Sequence, residues 1–312
     1  MTPEALSRIV MSIVVVGSMA FDSVKTPYGE VKDALGGAAT YFSLAASYFS
    51  PVRVVAVIGD DFGEEHLELL RRHGVDTGGI ERVDGPSFRW GGEYSWNLNE
   101  RTTLFTELNV FEGFRPKLSP ELRQSPFVFL ANIDPELQMS VLKQVDNREL
   151  VACDTMNFWI EGKSDQLHSL LDDIDVLVIN DDEARQLAGT YNLVEAATTI
   201  HQMGPKVLVI KRGEHGVLAF FNGEMFHAPG YPLKFVADPT GAGDTFAGGF
   251  FGYLAKYGKH GPEEIRRALV VGSVMASFCV EKFSIDGLVD LNESEIAMRY
   301  RAFQKLTDFG EF

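Results

Sequence analysis

The sequence has few cysteines, few basic residues and no long apolar run near its start. Its 312 residues include two cysteines, Cys153 and Cys279, too few for a disulfide framework and without CxxC spacing. The apolar run Ile13 to Val16 is far shorter than the roughly 7–15 residues of a signal-peptide core or the 18 or more of a membrane span. These absences favour a protein of the reducing cytoplasm.

Lysine and arginine number 28 against 44 aspartate and glutamate, giving a formal net charge of −16. Because an acidic surface repels polyanions, we expect neither duplex nucleic acid nor an anionic membrane as the principal partner. Small anionic ligands in a local pocket remain compatible with this charge. Hydrophobic residues make up 45% and charged residues 23%, which is typical of a globular protein with one large or two smaller domains.

Short apolar segments that alternate with helical patterns indicate an α/β chain. Ser12 to Gly17 predicts the first strand, residues 36–49 a buried helix behind a glycine pair, and Asn222-Gly223 the turn of a hairpin at the sheet edge. Met11, directly before the first strand, is a candidate start. Repeated βα units favour a parallel sheet. Further strands are predicted at 52–58, 127–130, 150–153, 176–179 and 207–210, and further helices at 62–73, 244–257, 262–280 and 293–305.

The segment between Asp84 and Pro116 breaks this rhythm. Two alternating stretches, around Phe88 to Tyr94 and from Arg101 to Val110, are separated by turn residues. They predict a β-hairpin inserted into the α/β chain. Its aromatic residues Phe88, Trp90 and Tyr94 have three interpretations: they stack on a ligand base, pack a dimer, or fill the underside of the hairpin.

The segment from Asp238 to Asp244, Asp-Pro-Thr-Gly-Ala-Gly-Asp, is the most informative part of the chain. We expect a strand that ends just before Asp238, a glycine-rich turn, and a helix that begins at Asp244. Amides in such a turn, with the helix dipole behind them, form a site for a phosphate. A carboxylate beside that site can take a proton from an alcohol. The structural alternative is that Asp244 is only the N-cap of the helix.

These residues resemble the ribokinase-like family of carbohydrate and nucleoside kinases, also called the PfkB family. Residues 238–246 are similar to its DTxGAGD signature, and Gly36-Gly37 to its N-terminal glycine pair. The resemblance covers nearly the whole chain and implies a three-layer α/β/α domain with a mostly parallel central sheet and a small inserted β lid. It assigns residues 1–22, 36–84 and 116–312 to the kinase core and residues 23–35 and 85–115 to the lid.

The resemblance implies an ATP-dependent kinase that transfers the γ-phosphoryl group to a hydroxymethyl group of a sugar or nucleoside. Asp244 matches the family's catalytic base, and Gly241, Ala242 and Gly243 match its anion hole. Asn180 and Glu183 match its NxxE motif, which acts on Mg²⁺ and the phosphates largely through water. Without the resemblance, Asn180 and Glu183 are also typical of a solvated acidic helix start.

Lys211 and Gly213 lie where many relatives have Thr-x-Gly beside the nucleotide. Gly213 fits that pattern. Lys211 or Arg212 is a candidate phosphate ligand, although a solvated strand end explains these residues equally well. Asp238, with residues 277–287, lies where many relatives hold a monovalent cation, so the resemblance implies K⁺ activation.

Asp22 matches the aspartate that binds acceptor hydroxyls in these kinases, although taken alone it is more typical of a turn. A carboxylate can accept two hydrogen bonds from a vicinal diol, which suits a sugar. Gly36 and Gly37 allow the backbone to approach that sugar closely. Tyr41 is a departure from the pattern, because many relatives have asparagine there, and it weakly favours a ligand with a flat apolar part.

The resemblance also implies that the hairpin is a lid, which closes over the acceptor and in many relatives pairs with another subunit's lid. A homodimer through the lid is therefore expected. Two other classes of function stay open at this point. One is a non-catalytic sensor or scaffold of the same fold, and the other is a dinucleotide-dependent oxidoreductase, for which the sequence has no GxGxxG fingerprint.

Overall fold

The computed structural model of the protein describes residues 12–308 and residue 310. The candidate start at Met11 and the residues before it lie outside this range. The strands within it are β1 (Ile13–Val16), β2 (Ala20–Thr26), β3 (Gly29–Gly36), β4 (Val52–Ile58), β5 (Val75–Arg82), β6 (Phe88–Tyr94), β7 (Arg101–Glu107), β8 (Phe127–Leu130), β9 (Leu150–Asp154), β10 (Val176–Asn180), β11 (Val207–Lys211), β12 (Val217–Phe221) and β13 (Glu224–Ala228).

The helices lie between and after these strands, as the βα rhythm predicts. In the described part of the chain they are α1 (Ala38–Ser47), α2 (Glu64–Arg72), α3 (Pro135–Leu142), α4 (Asn157–Gly162), α5 (Ser164–Leu171), α6 (Asp181–Ala188), α7 (Leu193–His201), α8 (Ala242–Tyr257), α9 (Pro262–Cys279) and α10 (Glu293–Thr307). None of them combines the length and the apolar character that crossing a lipid bilayer requires.

Nine strands form the central sheet in the order β13-β12-β11-β10-β9-β8-β1-β4-β5. All neighbouring pairs from β11 to β5 are parallel, and β12 and β13 add an antiparallel hairpin at one edge. Alternate residues of β1 belong to two different core clusters, since Ile13 and Val15 face one side and Val14 and Val16 the other. The sheet is therefore covered on both faces, which confirms the three-layer α/β/α class with a mostly parallel sheet.

Helix α8 lies unusually close to helix α1. A Cβ on Gly248 would lie 2.3 Å from the carbonyl oxygen of Phe42, and one on Gly252 would lie 2.9 Å from the Cα of Ala46. On the other side of α8, a Cβ on Gly249 would lie 2.8 Å from the side chain of Met275 in α9. These glycines let three helices pack backbone to backbone on one face of the sheet.

A second sheet of four strands, in the order β3-β2-β6-β7, lies apart from the central one. The inserted hairpin supplies β6 and β7, which pair antiparallel as their alternating pattern predicts. The hairpin β2-β3 completes this sheet, with β2 parallel to β6. We call the four strands the lid sheet.

Two expectations about the Asp238 segment are wrong. No strand ends before Asp238, because the chain from residue 229 to 241 is irregular there and the amides of Ala237 and Asp238 donate to the carbonyl of Val280. Helix α8 begins at Ala242 rather than at Asp244. Gly241 is its N-cap, with a φ of 74° that glycine adopts without strain.

We predict that Gly248→Ala lowers the free energy of unfolding by about 1–3 kcal/mol, because the added methyl group overpacks the α1–α8 contact. Chemical denaturation would measure it. Gly162→Ala is the matched control, since nothing lies within 4 Å of its Cβ position. We expect that control to be neutral or stabilising by up to about 1 kcal/mol. Equal stability of the two variants would contradict the packing argument.

Candidate active site

The candidate site lies where the carboxyl ends of several parallel strands meet the amino end of helix α8. Ligands of open α/β sheets commonly bind at this edge. Asp154 ends β9, Asn180 ends β10 and Lys211 ends β11, so three polar residues of neighbouring strands reach the same edge. Of these, the sequence analysis identified Asn180 and Lys211 but missed Asp154.

Asp244 lies in the first turn of helix α8, two residues after its start. The alternative that Asp244 is the N-cap is therefore wrong, and Gly241, which occupies that position, has no capping side chain. The amide of Ala242 donates to the carbonyl of Pro239 at 3.2 Å. Gly241 and Gly243 are thus better placed than Ala242 to offer amides to an anion.

Lys211 points into the site rather than into solvent. Its ammonium donates to Oδ2 of Asp154 at 3.1 Å, and its side chain is 18% exposed. A Cβ on Gly243 would lie 3.1 Å from the same ammonium nitrogen. The positive charge therefore lies beside the amino end of α8, and the interpretation of Lys211 as a solvated strand end is wrong.

Lys211 and the carboxylates around it change the pKa values of one another. Burial lowers the pKa of Lys211, but the carboxylates of Asp154, Glu183 and Asp244 outweigh it, so the pKa is raised. Burial and, to a smaller extent, the charge of Asp154 raise the pKa of Asp244, Lys211 opposes them, and the resulting pKa is about 7. Strongly shifted carboxyl groups of this kind cluster at functional sites.

Asn180 and Glu183 form a reciprocal capping box at the start of α6. The amide of Glu183 donates to Oδ1 of Asn180, and the amide of Asn180 donates to Oε2 of Glu183, both at 2.8 Å. Burial and, to a smaller extent, the charge of Asp154 raise the pKa of Glu183, Lys211 opposes them, and the resulting pKa is about 7. Glu183 is therefore locked in place and faces the same charges as Asp244, unlike a fully solvated helix start.

Asp22 lies within strand β2 and not in a turn. It is buried, and a Cβ on Gly36 would lie 2.0 Å from its carboxylate, so glycine is required there. Burial raises the pKa of Asp22, a hydrogen bond from the Gly37 amide lowers it, and the charges of Asp244 and Asp238 raise it, with a resulting pKa of about 7. The effect of Asp244 and Asp238 shows that Asp22 belongs to the same electrostatic cluster as the first turn of α8.

Tyr41 in helix α1 is 1% exposed and packs against the turn before α8. A Cβ on Gly241 would lie 2.4 Å from its ring. Its hydroxyl has no hydrogen-bond partner within the described residues. Burial raises the pKa of Tyr41 well above its usual value, and the carboxylate of Asp22 adds to this. The ring therefore lies between the candidate acceptor carboxylate and the candidate anion hole.

Asp238 is buried at the irregular turn before α8. Its Oδ1 accepts the Thr240 amide at 2.8 Å, and its Oδ2 faces the Ser284 amide at 3.5 Å. Residues 277–287 do lie next to it, since the carbonyl of Val280 accepts the amides of Ala237 and Asp238. Burial raises the pKa of Asp238.

The lid sheet reaches the site at two points. The hydroxyl of Thr240 donates to the Tyr94 hydroxyl at 3.2 Å, and Nδ2 of Asn99 in the hairpin turn donates to Glu214 at 3.1 Å. Asn99 also lies 3.8 Å from the Cβ position of Gly213, at the candidate nucleotide side. The hairpin therefore contacts the turn before α8 through Tyr94 and the segment after β11 through Asn99.

The three aromatic residues of β6 have different surroundings. Phe88 stacks on Phe111 on the underside of the lid, Tyr94 contacts Thr240, and Trp90 lies under the guanidinium of Arg101 at 5.0 Å from the ring centre. The sequence analysis did not identify Arg101 or Asn99. Neither belongs to a spacing pattern, and only the folded hairpin brings them to the site.

Comparisons with known proteins identify the family of this chain. The family described as "pfkB family carbohydrate kinase" matches residues 10–287. A cytidine kinase of Thermococcus kodakarensis is 28% identical over 81% of this chain and 91% of that protein. A 2-dehydro-3-deoxygluconokinase of Thermoproteus tenax is 38% identical over 70% of this chain and 72% of that protein.

The fold also matches a solved structure. Arabidopsis thaliana ribokinase, complexed with ribose and ATP, superimposes with a TM-score of 0.74 at 22% identity, covering 93% of this chain and 98% of that one. The match over residues 10–287 extends from the first strand of the central sheet to beyond helix α9. The chain therefore belongs to the pfkB family of carbohydrate kinases and is a PfkB-type phosphotransferase.

Proposed function

We propose that this enzyme transfers the γ-phosphoryl group of ATP to a hydroxymethyl group of a sugar or nucleoside, with Asp244 as the general base. One observation carries the proposal: Asp244 lies in the first turn of α8, beside the Gly243 backbone and the Lys211 ammonium. A base next to an anion site can remove the acceptor proton while the phosphoryl group is held. The oxygen–phosphorus bond to the acceptor then forms as the bond to ADP breaks.

In this proposal Asp22 orients the acceptor. Its carboxylate accepts acceptor hydroxyls, and Gly36 and Gly37 would let the backbone approach the acceptor closely. A Cβ on Gly36 would lie 2.0 Å from the Asp22 carboxylate, and one on Gly37 would lie 2.6 Å from the carbonyl oxygen of Ser18. Tyr41 limits the depth of the pocket because its buried ring fills the space next to Gly241. The named relatives include both a cytidine kinase and a 2-dehydro-3-deoxygluconokinase, so the acceptor stays at the level of a sugar or nucleoside.

The nucleotide would lie on the side of Asn180, Glu183, Lys211 and Gly213. Mg²⁺, when bound with the phosphates, neutralises their charge and aligns them for transfer. Among the described residues no group of three or more His, Cys, Asp and Glu is arranged to hold a metal. The donor set thus fits an ion held mainly by phosphate oxygens and water, with Glu183 and Asn180 next to it.

A monovalent cation, K⁺, is proposed beside Asp238. The turn of residues 237–240 and the segment of residues 277–287 bring a carboxylate and backbone oxygens together, and such hard oxygen donors suit an alkali cation. Burial of Asp238 without a basic partner within the described residues favours a cation near it. The cation would stiffen the turn that carries the anion hole.

We expect Asp244→Asn to lower kcat by about 10²–10⁴-fold while the protein stays folded, because the variant keeps the shape but loses the base. The measurement is ADP release with ATP, Mg²⁺ and K⁺ over a panel of pentoses, hexoses, sugar acids, sugar phosphates and nucleosides. Asp308→Asn, an exposed aspartate after the last helix, is the matched control.

Turnover on one compound class that is lost in Asp244→Asn would identify the reaction and the acceptor together. A variant with near-normal turnover would show that another group takes the proton. ATP binding without turnover on any acceptor would instead favour a non-catalytic binding protein.

The pH profile tests the electrostatics of the base. Because Asp244 must be ionised to accept a proton and its pKa is raised to about 7, kcat/KM should fall as the pH drops below neutrality. Asp154→Asn removes a charge that raises this pKa, so the acid limb should move to lower pH. Lys211→Met removes a charge that lowers it, so the limb should move to higher pH. If the acid limb moved in the same direction in both variants, the assignment of Asp244 as the general base would be wrong.

We also propose that the lid pairs with the lid of a second copy. Strand β7 is an edge strand, exposed along its length, and it presents Leu104 at 58% and Phe105 at 38% exposure. Exposed apolar edge strands generally require a cover. Leu104→Glu should convert a dimer to a monomer in size-exclusion chromatography with light scattering. A wild-type protein that is monomeric at high concentration would overturn this pairing.

A further inference from the structure

We propose that Arg101 of the lid binds the phosphoryl group as it passes from ATP to the acceptor. The proposal rests on the proposed kinase function. It assigns a catalytic role to a residue that no motif identifies, and it places one positive charge on the lid side of the transferred group and another, Lys211, on the helix side.

The strand register puts Arg101 on the face of the lid sheet that looks into the site. Arg101 lies directly opposite Tyr94 in the antiparallel pair β6-β7. Residues directly opposite each other in such a pair share a face of the sheet. Tyr94 faces the site, since its hydroxyl accepts a hydrogen bond from Thr240 of the turn before α8.

The neighbouring strand agrees with this orientation. Asp22 of β2 is in register with Trp90 of β6, so the two share a face, and the guanidinium of Arg101 lies over the Trp90 ring. The candidate acceptor carboxylate, the indole and the guanidinium therefore form one continuous surface. Asn99, two residues before Arg101, is tied to Glu214 across the site, which holds the hairpin end in this position.

Arg101 has no carboxylate within ion-pair distance among residues 12–308. Arg89, the other arginine of the lid strands, contrasts with it, because its guanidinium pairs with Asp33 and Asp61. An arginine that is held over an aromatic ring, with its fork of donors unused by a carboxylate, is suited to bind an anion that arrives with a substrate.

The position of the Arg101 charge favours the transferred group over other anions. Burial raises the pKa of Asp22, Asp244 and Glu183, and the charge of Arg101 is one of the smaller effects that oppose this rise at all three. Arg101 is therefore close enough to act on the acceptor side, the base and the phosphate side. An arginine dedicated to an anionic part of the acceptor would lie near Asp22 alone.

The chemistry of the step is consistent with this location. The acceptor oxygen forms a bond to the γ-phosphorus, the bond from that phosphorus to the β–γ bridging oxygen breaks, and the acceptor proton goes to Asp244. Negative charge is spread over the equatorial phosphoryl oxygens during transfer. With Asp22, Asp244 and Glu183 all near this path, a planar bidentate cation opposes the repulsion that the carboxylates would otherwise exert on those oxygens.

The test uses Arg101→Gln and Arg101→Lys in the full-length protein. Lys25→Gln is the matched control, because it removes a lid charge that sits in an exposed pair with Glu93, away from the site. For each protein, kcat and both KM values would be measured with the acceptor found in the panel. Calorimetry with Mg²⁺ would compare AMP-PNP, which carries a γ-phosphoryl mimic, with ADP, which does not.

We expect Arg101→Gln to lower kcat by about 10²–10³-fold and to weaken AMP-PNP binding but not ADP binding, with partial recovery in Arg101→Lys. Lys25→Gln should stay within about twofold of the wild type. A kcat within about threefold of the wild type, or a loss confined to the acceptor KM, would overturn the proposal. The second result would mean that Arg101 binds an anionic part of the acceptor.

If no acceptor in the panel is phosphorylated, the calorimetry decides alone: selective weakening of AMP-PNP supports the proposal, and unchanged binding of both nucleotides overturns it. Failure of the wild-type protein to bind either nucleotide would refute the kinase function itself. Failure of the Arg101 proposal can thus be distinguished from failure of the proposed kinase function.

Discussion

The site depends on how closely helix α8 approaches helix α1. The amides and the carboxylate at the start of α8 have fixed directions, so their distance from Lys211 is set by where the whole helix lies on the sheet. Gly248 and Gly252 allow backbone contact with α1, and any larger side chain there would push the helix outward. A displacement of about 1 Å is enough to spoil a preorganised transfer geometry. Gly248 and Gly252 therefore help to position the proposed anion hole, although they lie far from it.

A second constraint is the concentration of charge at one edge of the sheet. Asp154, Glu183 and Asp244 surround Lys211, and partial burial keeps water from screening them. Burial and, to a smaller extent, the charge of Asp154 raise the pKa values of Glu183 and Asp244 to about 7, so these two groups can take up protons near neutral pH. A cation bound beside Glu183 would reverse this effect and restore ionised carboxylates. The same groups thus respond to the occupant of the site through their protonation.

The central sheet could be predicted from the sequence because strands buried on both faces leave a strong local signal. Ile13 to Val16 is apolar at every position, and the hairpin around Asn222-Gly223 has its own turn signature. The start of α8 was misplaced by two residues because Gly241 in the left-handed conformation, rather than a capping side chain, begins the helix. The absent strand before Asp238 has a tertiary cause, since that backbone bonds to the end of α9 and not to a neighbouring strand.

The site itself was predictable only where its residues form a pattern. Gly241, Asp244 and Glu183 stand at fixed spacings, whereas Asp154 is one acidic residue at the end of a buried strand and Arg101 one basic residue in an alternating one. Their positions in the candidate site come from long-range topology: parallel neighbours align the end of β9 with that of β11, and a hairpin carries Arg101 back across the site. No single segment of the sequence predicts that Asp154 lies next to Lys211 or that Arg101 reaches the site.

The lid sheet does more than cover the candidate site, because it also contributes a residue to it. Asp22 lies in β2, which pairs with β6 of the hairpin, whereas Asp244 belongs to the helical layer on the central sheet. The proposed acceptor carboxylate therefore belongs to the lid sheet, whereas the proposed base belongs to the core. The distance between acceptor and base then depends on the lid position, which the Thr240–Tyr94 contact fixes from the turn that also carries Gly241. In the proposed function, closure of the lid sheet would bring the reacting groups together and exclude water in the same step.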